Sequence, residues 1–147
     1  MKKSLAAIGV IAATSLSAQA DIVRVQSPHS VDETIDRLAA AIEGAGAKVF
    51  ARVDHAKGAA SVDMELAPAT ALIFGNPKLG TPAMLVSPEA GLDLPLRALA
   101  YEKDGTVWLI YHDPADLAAK HGIPADHPII AAMTGALGKL TGVAVAE

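Results

Sequence analysis

The stretch Leu96-Arg97-Ala98-Leu99-Ala100-Tyr101-Glu102-Lys103-Asp104-Gly105-Thr106-Val107-Trp108-Leu109-Ile110-Tyr111-His112 decides the fold. Two runs of apolar and aromatic residues flank Asp104-Gly105. That dipeptide suits a type I′ turn, because both central residues of the turn need positive φ. With the turn in place, Tyr101 stands opposite Trp108, Leu99 opposite Ile110 and Arg97 opposite His112 on one face. Ala98 with Tyr111 and Ala100 with Leu109 line the other.

Upstream, Ile22 to Gln26 alternates like a strand and stops at Pro28. Ser30-Val31-Asp32-Glu33 has the form of a capping box, and Val31, Ile35, Leu38 and Ile42 then share one helical face before Gly44 and Gly46. Lys48 to Val53 reads as a second strand with Val49, Ala51 and Val53 on one side. A short helix is expected within residues 55–66, and Thr70 to Phe74 reads as a buried strand ending at Gly75-Asn76-Pro77. Residues 78–95, punctuated by Pro82, Pro88 and Pro95, suit a short helix and an ordered loop but no regular strand.

Downstream, Asp113-Pro114 starts a helix that Gly122 ends. Asp126 is expected to cap a last helix whose face is Ile130, Met133, Leu137 and Leu140, weakened by Gly135 and Gly138. The fold class that follows is α+β: a two-layer domain with a mostly antiparallel sheet and helices packed on it. So small a sheet needs its exposed face or edge covered, and a dimer would do so.

The first 20 residues read as a cleavable signal peptide. Lys2 and Lys3 precede an apolar run from Leu5 to Ala13 and the small-residue ending Ser17-Ala18-Gln19-Ala20. The run is too short to span a bilayer, which takes roughly 20 apolar residues, so no membrane attachment is expected after cleavage. Residues 21–147 then form a single exported, periplasmic domain. The chain holds 12 Lys and Arg against 16 Asp and Glu; losing Lys2 and Lys3 leaves 10 against 16, a formal charge of −6. Such a surface gives no reason to approach nucleic acid. With no cysteine, thiol catalysis, Cys-based zinc sites and iron–sulfur clusters are excluded.

Motifs of chemistry are sparse. Gly75 and Gly80 have the spacing of a phosphate loop after a strand, but Thr81-Pro82 replaces the Lys-Ser/Thr that should follow. Two readings stay open there: a structural turn, or a loop whose amides and Lys78 hold a small anion. His55 follows Asp54 at the end of a strand and is either a site residue or a helix-starting surface residue. Arg97 and His112 form a cationic corner, unless Arg97 pairs with Asp93 or Asp113. No H-E-x-x-H, no i, i+4 histidine pair and no Gly-x-Ser-x-Gly elbow occurs. The chain therefore leans away from catalysis, and no cofactor is required by its sequence.

Phe74-Gly75-Asn76-Pro77 through Gly80-Thr81-Pro82, Gly91-Leu92-Asp93-Leu94-Pro95-Leu96-Arg97 and Trp108 to Pro114, with Arg52-Val53-Asp54-His55 and His121-Gly122, resemble the domain-of-unknown-function family 302. The resemblance implies one α+β domain, often a homodimer, with no established activity. It places His55, Asn76, Lys78 and Arg97 at the family's polar motif positions, and His112 where Asn is more usual. The leading expectation is a binding or accessory domain holding a small polar or anionic ligand near these four residues. The alternatives are a metal- or haem-associated protein using His55, and a small enzyme with His55 as general base.

Overall fold

The computed structural model describes residues 21–147, so the signal-peptide reading lies outside the described residues. Its elements are β1 (Ile22–Ser27), α1 (Val31–Gly44), β2 (Lys48–Asp54), α2 (His55–Ala60), β3 (Ala69–Gly75), α3 (Pro77–Val86), a 3-10 helix (Pro88–Leu92), β4 (Leu96–Lys103), β5 (Thr106–His112), α4 (Pro114–His121) and α5 (Pro128–Ala144). The strands form one sheet in the order β1-β5-β4-β3-β2, and every neighbouring pair is antiparallel. This is the two-layer α+β architecture the sequence predicts.

The hairpin β4–β5 sits at the centre. Asp104 and Gly105 adopt φ of 52° and 73°, and Ala98 pairs with Tyr111, Leu99 with Ile110, Ala100 with Leu109 and Tyr101 with Trp108. β1 and β2, consecutive in sequence, therefore end on opposite edges and run in the same direction, with α1 crossing the sheet between them. Ser30 caps α1 by accepting a hydrogen bond from the Glu33 amide (3.2 Å). The other half of the expected capping box is not made, because the Glu33 carboxylate lies 3.2 Å from His29 Nδ1 instead.

The core forms on one face of the sheet. Val31, Ile35, Leu38 and Ile42 of α1 meet Leu72, Phe74, Ala98, Ala100, Leu109 and Tyr111 of the strands, with Leu137 and Ala144 of α5 closing over them. Each such large side chain contributes about 1.5–3 kcal/mol by leaving water. Ser27 and Thr34 are buried beside this core and satisfy each other, Oγ to Oγ1, at 2.6 Å. A second cluster joins Ala83, Ala90, Leu117, Ala118, Ile123, Ile129, Ile130 and Met133 from α3, the 3-10 helix, α4 and α5.

Two expectations are corrected. The register of β2 shifts between Val49 and Ala51, so Val49 shares a row with core Phe74, whereas Ala51 and Val53 share rows with Ile73 and Ala71 on the opposite face. The extra residue is Phe50, which has no partner across the ladder. The cap of α5 is His127, not Asp126: its ring Nδ1 accepts from the Ile129 amide at 3.3 Å. Pro128 takes the first helical position, so the residue immediately before it becomes the cap.

Candidate functional site: an apolar cleft between α3 and α5

The β2 bulge, the β3–α3 junction, the loop into β4 and one side of α5 enclose a cleft of about 750 Å³. Ligand sites in proteins typically measure about 300–1,000 Å³. Phe50, Phe74, Met84, Leu94, Met133 and Leu137 supply its bulky apolar wall. Ala131, Ala132, Gly135 and Ala136 line the α5 side, and the space exists because these side chains are small: a Cβ built on Gly135 meets no atom within 4 Å. Opposite, Pro95 and Phe50 pack beside Gly75, 3.4 Å and 3.6 Å from where its Cβ would stand, which is ordinary contact distance. The polar lining is confined to Asn76, Thr81 and Lys139. Leu85 and Leu92, next in sequence to the lining residues Met84 and Gly91, are 80% and 83% exposed.

A second, smaller cavity of about 130 Å³ lies beside Arg97, His112, Asp93, Asp113, Asp116 and Lys120. Arg97 and His112 thus share a cavity, as the hairpin register predicts. Among the described residues neither Asp93 nor Asp113 pairs with Arg97. Asp93 is engaged by Lys120 Nζ (2.8 Å) and His121 Nε2 (2.6 Å), and His121 is buried. These hydrogen bonds, Lys120's first and His121's second, hold the Asp93 carboxyl below the usual carboxylate range. A depressed carboxylate stabilises the fold above its unfolded pKa, and that contribution is lost as pH falls through the folded value. Asp93→Asn is accordingly expected to cost about 0.5–1 kcal/mol at neutral pH, because Lys120 is exposed and its attraction is screened by solvent. Its deficit against the wild type should shrink below about pH 4, as urea unfolding across pH would show. A deficit independent of pH would refute this account.

The four residues expected to hold a ligand do not converge. Asn76 caps α3 and lines the cleft; its Oδ1 accepts from the Lys78 amide (3.0 Å), and its carbonyl accepts from the amides of Leu79 (2.8 Å) and Gly80 (2.9 Å). The amides of Lys78, Leu79 and Gly80 are therefore engaged in starting α3. Lys78 is exposed on α3 and stands outside the cleft lining. Arg97 belongs to the smaller cavity. His55, exposed at the start of α2, sits at the far end of the β2–β3 pair from Asn76, about 20 Å away along the strands. Asp54 does not orient His55; it caps α2, accepting from the Lys57 amide at 2.9 Å. Among the described residues no three His, Asp or Glu side chains gather as a metal site would require. Phe50, Met84, Leu94, Met133, Gly135 and Lys139 were not singled out from sequence as site residues. The available signal was a small-residue side on α5 flanking its apolar stripe.

Comparison with known proteins agrees with the fold. The family model described as domain of unknown function DUF302 matches residues 23–140. A crystal structure of an uncharacterized conserved DUF302 protein from Bacillus stearothermophilus superposes with a TM-score of 0.76, covering 84% of this chain and 97% of that one at 20% identity. Two curated relatives are proteins called fluoride-specific ion channel FluC 1, from Brucella suis, and FluC 2, from Brucella melitensis. Each is 49% identical over 117 residues, which is 78% of this chain but 46% and 43% of those proteins. The chain thus spans less than half the length of the curated relatives it matches. Among the described residues no helix is long and apolar enough to cross a membrane.

Proposed function

The chain belongs to the DUF302 family, and because that family's description names no reaction, we propose its function from the cleft: it is a binding domain for a small molecule with a largely apolar body. The observation that carries this reading is the cleft between α3 and α5, about 750 Å³ and apolar over most of its lining. Of the four polar residues expected around a ligand, Asn76 alone lines this cleft, with its Oδ1 accepting from the Lys78 amide and its Nδ2 donating to the Gly46 carbonyl. The ligand is accordingly less polar than the sequence alone led us to expect. A cleft closed by helices and glycines, with no acid/base pair in its lining, supports binding rather than catalysis.

Export to the periplasm, inferred from residues 1–20, fits a domain that meets its ligand outside the cytoplasm. An accessory role is supported by the FluC-named relatives, in which a segment like this chain makes up less than half of a longer protein. We further propose that two copies pair through the uncovered sheet face. Val53, Ala71, Leu99 and Ile110 form its middle row, while Arg24 and Arg97 keep like charges at the rim. Sedimentation should then give the mass of two chains, and Ile110→Lys that of one. A single-chain mass for the wild type would overturn the pairing.

The cleft reading is tested by titrating the purified protein with Nile red, a neutral apolar dye, and displacing it with dodecanol. Saturable one-to-one binding with competitive displacement is expected. Fluorescence that rises linearly without saturation would refute the site.

A further inference from the structure

We propose that the cleft selects a single-chain amphiphile with an anionic head, such as a carboxylate or sulfate ester, whose head meets Lys139 and whose chain lies along α5. This rests on the cleft reading above and adds the class of ligand. The first argument is shape. The α5 lining runs from Ala131 to Leu140, about 14 Å of helix. Along it Ala131, Ala132, Gly135 and Ala136 leave a shallow trough. Met84 and Met133, unbranched and adaptable, contribute from either side and suit a flexible aliphatic chain.

Charge supplies the second argument. The whole chain carries four more acidic than basic residues, yet no Asp or Glu lines the cleft, and Lys139 is its one charged lining residue. Lys48 adds a cation at the mouth, its Nζ 5.6 Å from the centroid of the lining Phe50 ring. Among the described residues neither Lys139 nor Lys48 has a carboxylate partner within 4 Å. Two cations unneutralised by protein carboxylates, beside an otherwise apolar trough, complement an anionic head on an apolar chain. Each methylene buried would strengthen binding about fourfold. The head adds less, because Lys139 is exposed and its attraction is screened by solvent and salt.

The test is displacement of Nile red from the purified protein by dodecanoate, dodecanol and dodecyltrimethylammonium at low and high salt. The expected order is carboxylate, then alcohol, then ammonium, with about fivefold between the first two and a narrower gap at high salt. Lys139→Glu should remove or reverse the order without moving the melting temperature, since the side chain is exposed. Equal displacement by the three would overturn the anionic head and leave the cleft standing. Saturable dye binding that no chain displaces would overturn the amphiphile. Absence of saturable dye binding would overturn the cleft itself and the inference with it.

Discussion

Gly135→Leu is expected to abolish binding in the cleft while raising the melting temperature by a few degrees. Gly135 lies in the middle of α5, and its Cβ position is open space that forms part of the cleft. A leucine there regains roughly 0.7–1 kcal/mol of helix propensity lost to glycine. For a domain of this size that corresponds to about 3–5 °C. Its branched side chain also occupies the trough, so the affinity for Nile red should fall at least about tenfold, which is more than 1.4 kcal/mol. The opposite signs matter, because a substitution that merely damaged the fold would lower both quantities. Calorimetry and dye titration on the same variant decide the matter. Undiminished binding would move the site away from α5.

Leu38→Ala is the core counterpart and should cost about 2–5 kcal/mol in urea unfolding, without any specific effect on the ligand. Leu38 is 0% exposed on α1, between the sheet and α5, and truncation leaves a cavity that neighbours on three elements cannot easily fill. Leu85→Ala, at an exposed position of α3, is the control and should stay within about 0.5 kcal/mol of wild type. A cost below about 1 kcal/mol for Leu38 would mean that α1 is not seated as described. The pair separates hydrophobicity from burial, since both changes remove the same atoms.

Much of the fold was legible because the relevant signals are local. The Asp104-Gly105 turn sets which residues of β4 and β5 face each other, and it does so with two positive φ angles that need no tertiary partner. The spacing of Val31, Ile35, Leu38 and Ile42 marks the buried face of α1, and all four are buried. Errors arose where one residue breaks a period. Phe50 is invisible as a bulge in the alternation of Lys48 to Val53, because the extra residue is declared only by the register of β3 beside it. At α5, Asp126 and His127 both had capping chemistry, and the proline at the next position chose between them.

The candidate site was far less legible. Polar residues at strand ends drew attention to His55, Asn76, Lys78 and Arg97, yet the sheet and α3 assign them to separate surroundings. A capping bond or a loop position accounts for a polar residue as well as a ligand does, and sequence alone does not separate these roles. By itself the sequence determined the element order, the hairpin register, the face that α1 buries and the α+β class, because each depends on residues close together in the chain. Only the tertiary structure decided which edge each outer strand takes, where Phe50 points, and that alanines and Gly135 of α5 face the β3–α3 junction across empty space. A cleft is the gap left between segments that pack elsewhere, so no single segment carries its pattern.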